Sequence, residues 1–153
     1  MAYIVEKKCG ETDFLIKIDN SDLVSLTYQL YYKINEKEKK LFYIPSSEHL
    51  SVACIQSNTN HRFLLMEEMC GGSVCTDAGV YALFDPTTKK MLVKYNPMPL
   101  NNDSDIDDDP GQVEFKVRLY ELEQKNHQQI AKFLGYEPPY LPRSKAQFCC
   151  KEN

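Results

Sequence analysis

The chain has 153 residues, of which 42% are hydrophobic and 11% aromatic, enough for one domain with a buried core and too apolar for an intrinsically disordered segment. A formal net charge of -4 argues against a general nucleic-acid binder, which needs a concentrated basic surface. No apolar run approaches the roughly 18 to 20 residues that a membrane-spanning helix requires.

Residues 1–8 are too short and too charged for an uncleaved secretory signal, so the expectation is either a cytosolic chain or a mature segment whose leader has been removed. Residues 13–19 alternate as a half-buried strand, with Phe14, Ile16 and Ile18 inward. The clearest period of two follows over residues 26–34, where Leu26, Tyr28, Leu30, Tyr32 and Ile34 share one face. Tyr31 points the other way and is a candidate exposed anchor for a partner. Residues 35–40 read as a polar turn into a short strand, 41–44, stopped by Pro45. A further strand fits 50–56, and 57–60 have turn chemistry. Two more strands, 62–67 and 80–84, flank a loop that carries Cys70 and Cys75. Residues 85–90 then read as a hairpin connection into 91–95.

The last third changes character. Residues 96–109 are proline-bearing and then acidic, hence a loop, and Asp109-Pro110 is a good helix opening. Phe115, Leu119, Leu122, Ile130, Phe133 and Leu134 have helical spacing. Residues 113–118 alternate equally well as a strand, so the helix is expected from about residue 120 to 134, with Gly135 as its cap. Pro138, Pro139 and Pro142 make the tail irregular. The expectation is therefore a single α+β domain: a curved antiparallel sheet, a meander of about seven strands, with a C-terminal helix. Residues 1–95 are mainly β, 96–112 an acidic loop, 113–135 mainly helical and 136–153 an irregular tail.

Six cysteines are an even number. With one pair closing a short loop, they favour an oxidising compartment; reduced cytosolic thiols are the alternative. Fifteen pairings are open in principle. A Cys70–Cys75 bridge would stabilise the fold by roughly 2 kcal/mol in the chain-entropy model, and a Cys9–Cys54 bridge by about 4 kcal/mol. The short bridge therefore matters chiefly for its own loop. It stiffens Gly71, Gly72, Ser73 and Val74, which lowers the entropy cost of presenting them to a partner. Cys149 and Cys150 are left without an assigned pairing, and no zinc spacing is present.

Asp103, Asp105, Asp107 and Asp108 head the acidic segment. Asp103, Asp105, Asp107, Asp109 and Glu114 have some of the spacing of a calcium loop, but Asp108 stands where such a loop needs glycine and Pro110 follows. The segment reads as a flexible acidic loop with no target, as an acidic patch that meets a basic cleft, which the functional hypothesis below takes up, or as a calcium module; no resident metal or cofactor is expected. Catalysis has little support. His49, His61 and His127 fall in turns or on a polar helix face, and Cys54 lies in an apolar strand where a thiol is inert. The chain is not expected to be an enzyme.

A strand, the Cys70–Cys75 loop, an apolar strand ending in Phe84-Asp85 and a turn with Lys89-Lys90 resemble the inhibitor of vertebrate lysozyme family over roughly a fifth of the chain. The resemblance implies a periplasmic location and a disulfide-closed loop that plugs a hydrolase cleft. The layout is also similar to that of periplasmic immunity proteins that neutralise type VI secretion effectors. An immunity protein, paired with its toxin, ranks first because that role tolerates an arbitrary loop sequence; a lysozyme inhibitor is the alternative. The expected partner is a cognate effector or hydrolase, with no nucleic acid and no membrane span.

Overall fold

The computed structural model describes residues 2–19, 26–47, 50–69, 79–97, 110–135 and 146–149. They form strands β1 (Ala2–Cys9), β2 (Thr12–Asp19), β3 (Leu26–Ile34), β4 (Lys37–Ser47), β5 (Leu50–Gln56), β6 (Arg62–Met69), β7 (Gly79–Asp85) and β8 (Lys90–Val93), helix α1 (Pro110–Leu134) and strand β9 (Ala146–Cys149). The first sheet runs β1-β2-β3-β4 and the second β8-β7-β6-β5-β9, with every pairing antiparallel. The α+β class, the antiparallel meander and the C-terminal helix are those expected. The strands are divided between two sheets instead of lying in one.

Side-chain chemistry explains the division. Phe14, Ile16, Ile18, Tyr28, Leu30 and Ile44 of the first sheet pack on Val52, Cys54, Leu64, Met66, Ala82 and Phe84 of the second. The alternate positions of the second sheet, Ala53, Ile55, Phe63, Tyr81 and Leu83, pack on Ile130 and Leu134 of α1. The second sheet is thus apolar on both faces and occupies the middle of three layers. All seven residues of β7 are buried, the pattern of a strand covered on two sides. One outer layer is the first sheet and the other is the helix.

Local corrections have physical causes. The turn expected over residues 35–40 is only Asn35-Glu36, since Ile34 already pairs with Lys37. The charged residues that follow belong to the strand: Lys39 lies opposite Tyr32, and the Lys40 ammonium sits 5.0 Å from the Tyr43 ring centroid. Pro45 does not stop β4. That strand is an edge of its sheet among the described residues, and its register shifts beside Pro45, so the missing N–H is tolerated. Helix α1 begins at Pro110, which decides the alternation of residues 113–118 in favour of helix. The tail, expected to be irregular, supplies β9 beside β5.

Asn35 and Glu36 both have positive φ, 50° and 67°, the geometry of the two-residue turn that best matches strand twist. Glu36 carries a side chain where glycine is favoured. Glu36→Gly is therefore expected to stabilise the fold by about 0.5–1 kcal/mol, read as a higher urea midpoint at unchanged slope.

Candidate partner-binding site

Gly71, Gly72, Ser73, Val74, Cys70, Cys75, Asp103, Asp105, Asp107 and Asp108 lie outside the described residues, so the site is built from the elements that hold their flanks. The 70–78 segment is bounded by Met69 and Gly79, and these two residues pair across β6 and β7. Val80, next in the chain, is fully buried against Phe115 and Leu119 of α1, and Tyr95 packs on the same cluster. The 98–109 segment leaves two residues beyond Tyr95 and ends where α1 begins. The stems of both segments therefore gather at one end of the middle sheet.

That end is held by polar contacts as well as apolar ones. β8 pairs with β7 only from Leu83 onward, so that among the described residues the first half of β7 has no strand on that edge. Side chains of α1 take the place of the strand. Gly79 N donates to Glu123 Oε2 at 2.8 Å, and Tyr81 N to Asn126 Oδ1 at 2.9 Å. Asn126 is buried, as a polar side chain should be only when bonded. The Tyr81 hydroxyl donates to Glu67 at 2.6 Å and the Tyr95 hydroxyl to the buried Glu68 at 2.5 Å. Burial, followed by the neighbouring Glu67 charge for Tyr81 and the Glu68 hydrogen bond for Tyr95, pushes both phenols well above their usual range.

Cys9 and Cys54 form a disulfide, with 5.5 Å between their Cα atoms. It ties the first sheet to the second through the core, as one of the two bridges considered from sequence would. Tyr31 lies on the outer face of the first sheet, opposite Leu15 and Lys40, as the alternation requires. It is half-buried, its hydroxyl donates to Gln29 Oε1 at 2.6 Å, and the Lys17 ammonium caps its ring at 4.4 Å. Lys17 in turn pairs with Glu38 at 2.9 Å. The structure thus does not bring Tyr31 to the end where the two stems meet. Glu114, the twelfth position of the calcium spacing, is in α1 with its carboxylate on Arg118. Among the described residues no group of three metal-ligating side chains occurs.

Of the three histidines, His49 lies outside the described residues, His61 adjoins the 57–60 turn as expected, and His127 differs from the polar helix face expected for it. His61 is half-exposed, its Nε2 2.9 Å from Asp85 Oδ1 and its ring edge-on to Phe63. His127 sets its ring against Tyr81, 4.8 Å between centroids, with both nitrogens enclosed by protein. The His61–Asp85 pair has the form of a general-base dyad, but its surroundings serve the turns. Asp85 accepts from Thr87 N at 2.9 Å and caps the β7–β8 hairpin; Ser57 Oγ accepts from the backbone of Thr59 and His61. Burial raises the Asp85 carboxyl, yet the hydrogen bonds from His61, Thr87 and Thr88, with the His61 charge, outweigh it and hold the group below the usual carboxylate range.

A lowered folded-state value means stabilisation that is complete above the unfolded value of about 3.9 and lost as pH falls through the folded one. Asp85→Asn is accordingly expected to cost about 1 kcal/mol at neutral pH. The two stability curves should converge in acid. A constant gap down to pH 2 in denaturant titrations would contradict this origin.

Sequence reasoning missed one surface feature. Val113, Val117 and Tyr120 stand at i, i+4 and i+7 on the side of α1 facing away from Phe115 and Leu119, and all three are exposed. The helical spacing was present in the sequence, masked by the equal fit of residues 113–118 to a strand. No family model, curated protein or solved structure matches the chain.

Proposed function

We propose that this is an extracytoplasmic protein that binds and inhibits an enzyme by occlusion, as an immunity protein neutralising a secreted antibacterial effector. The observation that carries the reading is the gathering of two stems at one end of the middle sheet: those of the Cys70–Cys75 segment and of the acidic segment. A stiff loop and a run of aspartates springing from one end can act on a single partner, the first by shape and the second by attraction. The cross-sheet disulfide supports an oxidising, periplasmic setting.

Calorimetry and activity assays with the secreted effector encoded beside this chain test the proposal. Tight binding with loss of effector activity is expected. A Cys70→Ser/Cys75→Ser variant should bind at least about tenfold more weakly, because its loop must be ordered on binding. Wild-type affinity in that variant removes the loop's role, and an uninhibited effector removes the reading.

A further inference from the structure

Two cations, Arg62 and Lys89, border Pro86 at the seam between the two sheets. The turn between β1 and β2 carries Gly10, and a Cβ there would lie 3.8 Å from Arg62 Cβ and 3.8 Å from Pro86 Cγ. Arg62 opens β6 with the same parity as Leu64 and Met66, which face the first sheet. The Lys89 ammonium donates to Pro86 O and to the Thr12 hydroxyl, which itself donates to Pro86 O at 3.0 Å. Thr12 is buried, two residues before the inward-facing Phe14. Both cations therefore belong to the inner side of the second sheet, with no side chain from Gly10 between Arg62 and Pro86.

Among the described residues neither cation forms an ion pair. Arg62 is exposed, and Lys89 is half-buried with two of its three ammonium N–H groups on neutral oxygens. A charge drawn partly out of water is normally answered by an opposite one. Lys89 also has φ 61° where it closes the β7–β8 turn, its N–H on Asp85 O at 2.8 Å, a conformation that favours glycine. Such backbone costs stability and concentrates at functional sites.

The neighbouring acidic groups do not answer the two cations. Asp85 gives its carboxylate to His61 and to the N–H groups of Thr87 and Thr88. Asp13 has the parity of Leu15 and Tyr31, on the outer face of the first sheet. Glu11, next to Gly10, is exposed and forms no ion pair with a described residue.

We infer that Arg62 and Lys89 form a binding site for a phosphate group, as free phosphate or as a monoester. A guanidinium matches two phosphate oxygens with a planar pair of donors, and an ammonium held in place by Thr12 and Pro86 meets a third as a point charge. Two unanswered positive charges suit a dianion better than a carboxylate. The site lies at the opposite end of β6 and β7 from Met69 and Gly79, so it does not depend on the proposed inhibitor function.

Calorimetric titration with inorganic phosphate, methyl phosphate and acetate at fixed ionic strength is the test. The phosphates should bind, less tightly as salt is added, and shift the amide resonances of Gly10, Arg62 and Lys89. Acetate should bind at least about tenfold more weakly. Tighter binding of methyl phosphate assigns the site to a monoester, and tighter binding of inorganic phosphate to the free ion. Arg62→Gln, at an exposed position, and Lys89→Gly, which suits the backbone, should each weaken binding about tenfold with the fold retained by circular dichroism. Glu11→Gln, which removes the nearest unpaired carboxylate of the turn, should tighten it. Lys125→Gln, an exposed lysine of α1, should leave it unchanged. No heat and no shift at millimolar phosphate, equal binding of acetate, wild-type affinity in Arg62→Gln, or an equal loss in Lys125→Gln overturns the inference.

Discussion

Joint replacement of Cys9 and Cys54 by alanine is expected to lower the stability of the fold by about 4 kcal/mol, the chain-entropy value for a sequence separation of 45. For a domain of this size that corresponds to a fall of roughly 10 °C in melting temperature. The bridge is a covalent link between two sheets that also meet through apolar contacts such as Phe14 on Phe84, 5.8 Å between ring centroids, and through the Thr12 hydroxyl, which donates to Pro86 O at 3.0 Å. Alanine is the better test than serine, because both sulfurs are buried and a hydroxyl would add an unrelated desolvation cost. Melting of the double variant with and without reductant separates this bridge from the other cysteines. A shift smaller than about 3 °C would mean that the sheets hold together without help from the bridge. The same variant bears on the proposed compartment. If wild type loses most of its stability under reducing conditions and the variant does not, the folded protein depends on an oxidising environment.

Most strands were legible because their residues alternate. Leu26 to Ile34 is the plainest case, and the observed inward positions Tyr28, Leu30 and Tyr32 are those the period of two assigns. The partition into two sheets was not legible, since alternation says which side chains share a face but not what covers that face. The clue was in β7, where Val80 to Phe84 is apolar without interruption. Such a run fits a strand buried on both faces as well as it fits any buried segment. β9 escaped notice for a different reason: four residues behind three prolines carry too little pattern to outweigh the breakers. The length of α1 was ambiguous because Val113, Phe115 and Val117 fit period two, while Phe115, Leu119 and Leu122 fit helical spacing. Pro110 at the first helical position resolves it, and the leftover residues of the alternation become the exposed stripe. At the candidate site, the loop and acidic segment were chosen on local composition and spacing. That their stems lie together depends on Val80 meeting Phe115 and Leu119, a contact between distant parts of the chain that no local pattern encodes.

The second large effect concerns the base of that end. Asn126→Ala is expected to cost about 2–3 kcal/mol, because the Tyr81 N–H loses its acceptor in a buried setting and a small void remains. Hydrogen exchange should locate the damage, with the amides of Tyr81 and Gly79 losing protection before those of Leu83, which lies where β8 pairs with β7. Glu123→Gln, which keeps a side-chain oxygen for Gly79 N, should change stability by less than about 0.5 kcal/mol. If Asn126→Ala proves equally mild, the helix is not the cap of β7 and its contact there is apolar only. The consequence for binding is the sharper test. Asn126 is buried and so does not touch a partner, yet it fixes the strand that begins directly after the 70–78 segment. On the proposed reading its loss should therefore weaken partner affinity in wild type, because a bridged loop presented to a partner needs a firm base. In the Cys70→Ser/Cys75→Ser background, where the loop must be ordered on binding in any case, it should weaken affinity much less. Such non-additivity in a double-mutant cycle is the signature of two residues acting through one element. Fully additive losses would mean that the stem of β7 and the loop it carries act independently.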